Sequence, residues 1–359
     1  MKKIYFILLL FIFTTNAFSS DTTTVRIHDH TDMTWYGNYD AWGLLPDSSL
    51  NYRKIYLHYT MGCATGGCSD WDYTTQIFVR HRTGELDTAF NEIIENYELA
   101  RVITPYGSSL ANNWQFTTTF DITDFVQILR DSVEIRCHYS GWSSGFSATL
   151  DFEFIEGTPA RDVVKVENIY SGGYNYTTSA DFEANNLIPK KFLIDQNSTG
   201  AMVKMATTGH GFDNNQSAAE FKPINYFVKI DGTQTHTQYN WDANCGENPI
   251  YPQGGTWIYD RANWCPGTRA QAFDYEITPH ITSGDSVEVN IDFQSYSWSG
   301  TQTPSYIIEC QLFQYEDPNF VNSAEIIDII KPSLKDEYSR KNPICGNPLI
   351  KIRNYGSAP

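Results

Sequence analysis

Long apolar stretches are nearly missing from this 359-residue chain. The one present, Ile4 to Phe13, follows Lys2 and Lys3 and gives way to Thr14, Thr15, Asn16, Ala17, Ser19 and Ser20. A membrane-spanning helix needs roughly 20 apolar residues, so this run is too short, and no later segment comes close. Its layout is that of a cleavable signal peptide over residues 1–20, and the expected location is secreted or periplasmic, with no membrane anchor. Basic residues are scarce too: 25 Lys and Arg face 42 Asp and Glu, a net charge of −17. That field repels nucleic acid and anionic membrane surfaces. No phosphate-cradling glycine loop, Cys-x-x-Cys pair or His-Glu-x-x-His helix occurs, which leaves nucleotide chemistry and the usual zinc sites without support. A nucleophile-elbow serine hydrolase is not expected either. His28 and His30 are the one close pair of histidines, the other six being scattered singly, so neither a metal nor a cofactor is expected.

What the chain does have is cysteine, aromatic residues and alternation. Seven cysteines in an exported protein point to disulfides with at least one thiol left over. Tyrosines number 23 and tryptophans nine; their flat apolar faces and polar tips suit sugars, although sheet packing uses the same residues. Period-two patterning marks strands at Tyr52–Met61, Tyr73–Arg82, Val133–Trp142, Phe146–Ile155, Ala201–Thr207, Ile224–Ile230, Ser286–Ser297 and Ser305–Tyr315. A helix is expected around Leu86 to Tyr97 and a short helical turn within Asp121 to Leu129. The fold class is therefore all-β, a sandwich or jelly roll. The chain exceeds what one core serves. The turn-rich passage Glu156 to Ala160 sets the boundary between a domain of residues 21–160 and one of residues 161–318. Residues 319–359 form a tail ending in a strand-like Leu349-Ile350-Lys351-Ile352, either a short appendage or the start of a further β-module.

Three segments carry candidate chemistry. Cys63 and Cys68 lie five apart, just before Asp70-Trp71-Asp72. A bridge across so small a loop stabilises by only ~2 kcal/mol in the chain-entropy model, so its effect is local geometry. Asp70 and Asp72 on an extended segment can face the same side, where repulsion raises one pKa and prepares a carboxylate for acid/base work; turn acids or a weak calcium site are the bland alternative. In the second segment, a Cys245–Cys265 bridge would hold a Gly/Pro-rich loop that carries Arg261 and Trp264. An Arg fork can grip a carboxylate or sugar hydroxyl and Trp offers a stacking face, or the pair is a salt bridge and a core plug. The third segment places His210 between glycines at a strand end and Glu220 ahead of the next strand.

The run Cys63 to Asp72, Arg101-Val102-Ile103-Thr104-Pro105-Tyr106, Asp121-Ile122-Thr123-Asp124-Phe125, Gly157-Thr158-Pro159 and Asp260 to Gly267 together resemble the peptide-N-glycosidase F family, over about residues 25 to 315. The resemblance implies two eight-stranded antiparallel jelly rolls packed side by side with a sugar-binding cleft at their interface. It also implies a cofactor-free hydrolysis of the amide between the first N-acetylglucosamine and asparagine of N-linked glycoproteins or glycopeptides, leaving aspartate. By that resemblance Asp72 is the principal catalytic carboxylate and Glu220 the second acid, acting through an ordered water. Arg261 and Trp264 frame the site, and Trp142 is an aromatic near the cleft. Ser140, Tyr73 and His210 join the expected substrate-binding set. The chain departs from the family where Ser140 replaces a third acid, Tyr73 an arginine, and Ala218 and Lys222 two cysteines flanking Glu220. A catalytically impaired glycan-binding protein of the same fold is the alternative. Copper-dependent monooxygenases share the two-jelly-roll architecture, but they need His clusters that the scattered histidines do not supply. A monomer is expected.

Overall fold

A computed structural model describes residues 21–296, 302–341 and 346–356. The leader expected at residues 1–20, the end of the strand expected over Ser286–Ser297, and Cys345 therefore lie, wholly or in part, outside the described residues. Eight strands precede Gly157: β1 (Thr22–Met33), β2 (Gly37–Leu44), β3 (Tyr52–Cys63), β4 (Thr74–Leu86), β5 (Glu92–Ile103), β6 (Gln115–Asp121), β7 (Ser132–Tyr139) and β8 (Phe146–Glu156). They make two four-stranded antiparallel sheets, ordered β1-β8-β3-β6 and β2-β7-β4-β5. Eight follow: β9 (Arg161–Asn175), β10 (Lys190–Leu193), β11 (Gly200–His210), β12 (Asn225–Ile230), β13 (Thr233–Tyr239), β14 (Ala272–Glu276), β15 (Ser286–Phe293) and β16 (Ser305–Pro318). These are ordered β10-β15-β12-β13 and β14-β11-β16-β9, again antiparallel. The all-β reading holds. Alternation is the cause: β12 and β15 each bury every second residue, so one face of each sheet is apolar and must be covered.

The helix expected over Leu86 to Tyr97 is instead a hairpin. Leu86, Phe90, Ile93 and Tyr97 have helical spacing, but Asp87 ends the strand: its Oδ1 accepts from the backbone N–H groups of Ala89 and Asn91, and Phe90 adopts φ +63°. That Asx-type turn reverses the chain, and β5 then pairs with β4 from Leu86↔Glu92 to Thr74↔Ile103. Side-chain-to-backbone bonds at Asp87 and a long cross-strand ladder outweigh the periodic signal. The turn expected near Asp121 to Leu129 is a single 3-10 turn at Thr123–Phe125.

The two groups of sheets meet along β5, which would otherwise be an unpaired edge. The loop after Cys265 closes it: Gly267 N donates to Ile103 O (2.8 Å), Ile103 N to Thr268 O (3.2 Å) and Ala270 N to Arg101 O (3.0 Å). Apolar packing crosses the same seam. Val163, Val166, Met202, Phe313 and Tyr315 belong to the core cluster of the first eight strands, and Phe313 meets Phe125 edge-on at 5.1 Å. Arg101 lies within the seam. It is buried, makes a two-point bond to Glu98 (2.8 and 2.7 Å), and donates to Thr208 Oγ1 (2.8 Å) and Ile307 O (2.9 Å) in the second group.

Beyond Pro318, β17 (Ala324–Lys331) and β18 (Leu349–Asn354) pair with each other. Charge contacts lay this ribbon across both groups: Glu325 meets Lys54 (3.1 Å), Arg353 meets Asp274 (2.7 Å), Glu337 pairs with Arg269, and Asp336 accepts from Thr117 N (2.8 Å). Arg340 donates to Gly246 O and Asn248 O, beside Cys245.

Removing one partner of a buried ion pair leaves the other charge uncompensated, a loss of about 3–5 kcal/mol. Arg101→Ala is expected to lower the unfolding free energy read from urea denaturation by that amount, and the double variant Glu98→Gln/Arg101→Met to lose less, because it leaves no orphan charge. Equal losses in the two variants would contradict this account of the seam.

Candidate active site

Asp72 lies in a bend between the Cys63–Cys68 disulfide and β4. The bend is pinned on both sides of the carboxylate: Thr104 Oγ1 donates to Trp71 O (3.0 Å) and accepts from Tyr73 N (2.7 Å), while Thr104 N donates to Tyr73 O (2.7 Å). Close approach is possible because two neighbours are glycines. A Cβ on Gly107 would lie 2.5 Å from Cys68 Cβ, and one on Gly145 2.2 Å from Ser69 N. Asp70 does not partner Asp72 as the sequence suggested. The segment is bent rather than extended, and Asp70 is exposed and not among the groups that perturb Asp72.

The second carboxylate comes from the other group of sheets. Glu220 stands in the loop between β11 and β12, its backbone N bonded to Gly211 O (2.9 Å) and its backbone O to Ala262 N (2.9 Å). Gly211 N in turn donates to its Oε2 (3.1 Å). At Ala218 and Lys222, where the family resemblance implies a cysteine clamp, hydrogen bonds hold the loop.

Arg261 joins the two acids. It sits at a β-bridge with Asp242, on the loop closed by the Cys245–Cys265 disulfide, and its side chain has no exposure at all. All five of its N–H groups have partners. Nε donates to Glu220 Oε1 (3.0 Å), Nη1 to Thr256 O (3.1 Å) and Tyr259 O (2.6 Å), and Nη2 to Thr256 Oγ1 (2.8 Å) and, more weakly, the Tyr106 hydroxyl (3.4 Å). Nη2 also lies 4.0 Å from Asp72 Oδ2. Arg261 therefore spends its donors on Glu220, Thr256, Tyr259 and Tyr106 and has none free for a sugar hydroxyl. Burial and the negative charge of Asp72 push the pKa of Tyr106 up to about 12, and its hydroxyl lies 3.2 Å from Thr256 Oγ1.

Burial governs both acids. Asp72 is raised from the ordinary carboxylate value by desolvation, with Tyr106 and Arg261 pulling the other way. Glu220 is pushed up to about 7 by desolvation, Arg261 opposing and Asp72 reinforcing the shift. Glu220, brought to about 7, can hold or release a proton near neutral pH.

The remaining expected residues divide. Trp264 has no free face for a sugar: it is buried, stacked on His210 (5.4 Å between centroids, 24° between planes), covered by Arg261 (4.8 Å), and bonded through Nε1 to Gly209 O (2.8 Å). His210 is held neutral, its pKa pushed down to about 3 by burial and Arg101, and its Nε2 lies 2.7 Å from Thr208 Oγ1, which Arg101 also bonds. Ser140 Oγ accepts from Thr74 N (2.9 Å), and the Tyr73 hydroxyl meets Ser143 Oγ (3.0 Å). Trp142 is exposed. Tyr106 and Thr256 had no role assigned from sequence, although Tyr106 lay inside one of the shared motifs. Gly141-Trp142-Ser143-Ser144-Gly145 has the spacing of a nucleophile elbow, contrary to the sequence-based expectation that none is present. It joins β7 to β8 rather than a strand to a helix, and Ser143 Oγ is bonded by Ser69 Oγ (2.9 Å) and Tyr73.

A large cavity lies elsewhere. It occupies about 980 Å³ beneath the β17–β18 ribbon, and its lining includes Lys54, Asp121, Lys204, Arg269 and Asp274 but neither Asp72 nor Glu220. Several of its charges are mutually paired, as in Lys204 with Asp124 and Asp274 (3.2 Å each), so the carboxylate pair is the better candidate for chemistry. Among the described residues one grouping, Asp242 with Cys245 and Cys265, is close enough for a metal, and both sulfurs are in the disulfide. Cys137 and Cys310 are buried free thiols.

Known proteins resemble this chain in sequence and in fold. Residues 175–312 match the family model described as Peptide-N-glycosidase F, C terminal. Over 276 residues, 73% of each chain, the protein is 25% identical to peptide-N(4)-(N-acetyl-beta-D-glucosaminyl)asparagine amidase F of Elizabethkingia miricola. The solved structure of PNGase F, a glycosylasparaginase from Flavobacterium meningosepticum, superposes with a TM-score of 0.68 over 82% of this chain and 96% of that one, at 21% identity. That of PNGF-II superposes with a TM-score of 0.63 over 82% and 66%, at 15% identity. The chain is thus similar to the peptide-N-glycosidase F family, matching its C-terminal sequence pattern over residues 175–312 and sharing its fold.

Proposed function

We propose that the protein is an exported, monomeric glycoamidase that hydrolyses the amide between N-acetylglucosamine and the asparagine side chain of N-linked glycoproteins. The observation that carries this reading is one buried guanidinium contacting two carboxylates from different sheet groups, both raised in pKa by burial. The two disulfides and the short apolar leader support export.

Amide hydrolysis needs a base for water and an acid for the departing nitrogen. Asp72, in its carboxylate form, takes a proton from a water molecule as the water oxygen adds to the side-chain carbonyl carbon. The C–N bond then breaks with a proton delivered to nitrogen, and Glu220 holds one near neutrality. The products are aspartate and a glycosylamine. Arg261 fixes the spacing of base and acid and stabilises the pair's negative charge, which makes it a positioning residue. The engaged Ser140 hydroxyl, where the family resemblance implies an acid, favours the second reading, a glycan-binding protein that no longer turns over.

Incubation with a denatured N-glycosylated peptide, followed by mass spectrometry, tests the first reading. Glycan loss with conversion of asparagine to aspartate is expected for the parent and not for Asp72→Asn; binding without conversion by the parent would establish the second reading. A second expectation concerns pH. Activity rises as Asp72 deprotonates, above the ordinary carboxylate range, and falls through about 7 as Glu220 loses its proton. Glu220→Gln is expected to slow turnover by about 100-fold or more and to abolish the falling limb in a kcat/KM profile. A limb that persists near 7 in that variant would remove Glu220 from the role of acid.

A further inference from the structure

Most large aromatic side chains here are core, but a group of exposed rings stands beside the segment that carries Asp72. Trp35 and Tyr36, in the turn between β1 and β2, are 55% and 53% exposed, and Trp142, after β7, is 63% exposed. The three form one cluster. Tyr36 stacks on Trp142 at 5.5 Å with 12° between planes, Trp35 meets the same ring edge-on at 6.0 Å, and His138 supports Tyr36 at 5.3 Å.

The turn is rigidly built. The Tyr39 hydroxyl accepts from Thr34 N (2.8 Å) and Trp35 N (3.0 Å) and donates to Trp35 O (2.9 Å). Sheet register fixes its place relative to the catalytic bend. Gly37 pairs with Tyr139 and Tyr139 with Thr75, so the turn lies two strand spacings, about 10 Å, from the start of β4. The intervening loop is tied to the bend through Ser140 N to Thr74 O (3.0 Å), Thr74 N to Ser140 Oγ, and Ser143 Oγ to Ser69 and Tyr73.

From this arrangement we infer that Trp35 and Tyr36 extend the substrate site into a platform for the sugars of the glycan beyond those next to asparagine, which stack on the rings through their C–H faces. The inference rests on the glycoamidase reading for what brings the glycan there. Carbohydrate fits better than peptide for a reason visible at the turn. Peptides bind sheet margins through free backbone N–H and C=O groups, and here the Thr34 and Trp35 N–H groups and the Trp35 carbonyl are taken by Tyr39. What remains on offer is flat aromatic face with a polar tip at Tyr36, which matches a pyranose ring.

The test uses the full chain and the double variant Trp35→Ala/Tyr36→Ala, with one peptide carrying either a full oligomannose glycan or only its two core N-acetylglucosamines. KM for the full glycopeptide is expected to rise about tenfold and that for the trimmed one to stay unchanged. An equal rise on both substrates, or none on either, would overturn the platform. Should the parent cleave neither substrate, it is the glycoamidase reading that has failed. Calorimetry with the free oligomannose oligosaccharide then decides the platform by itself: about tenfold weaker binding by the variant supports it, while equal affinity, or no binding by the parent, overturns it.

Discussion

A guanidinium with no access to water must be surrounded by acceptors, and Arg261 draws its acceptors from both halves of the chain. Glu220, Thr256 and Tyr259 come from the second group of sheets, Tyr106 from the first, and Asp72, also from the first, lies just beyond hydrogen-bonding distance. An unsatisfied buried charge costs several kcal/mol, so the two halves are held in the one relative placement that satisfies it. The same placement brings two carboxylates together in a poorly hydrated site. One buried cation therefore sets the placement of the two sheet groups, and burial then raises the pKa values of both acids.

The seam repeats this logic further in. Arg101 is satisfied by Glu98 on its own strand and by Thr208 and Ile307 across the interface. Through Thr208 it is linked to His210, which stacks on Trp264 beneath Arg261. A continuous buried path thus runs from the middle of the interface to the acid pair. Glu309, also buried near Glu98, has its pKa raised well above the ordinary carboxylate value by burial and by that neighbour. The β17–β18 ribbon lies over both groups, and its Arg340 contacts the loop that the Cys245–Cys265 bridge closes.

Aromatic residues serve two physical purposes that composition alone does not separate. Tyr176, Phe182, Phe293 and Tyr306 pack ring against ring inside the second core. Trp35, Tyr36 and Trp142 use the same contacts at the surface, where ring faces remain open. Trp264 belongs with the first set despite its place in a conspicuous motif, because a Trp beside a buried arginine is more stable as its cation–π partner than as a solvated plate.

The sequence by itself determined the features that depend on neighbours along the chain. Alternation specified antiparallel sheets, and the spacings Cys63 to Cys68 and Cys245 to Cys265 pointed to both bridges. The motifs singled out Asp72, Glu220 and Arg261, which the fold brings together. Tertiary structure decided what depends on residues far apart. It made a hairpin of a segment with helical spacing around Phe90, because cross-strand pairing outweighs local periodicity. It moved the partner of Asp72 from Asp70 to Glu220, since a bend separates near neighbours while domain packing joins distant ones. It also turned Arg261 inward, for a side chain's solvent exposure is fixed only when everything around it has folded.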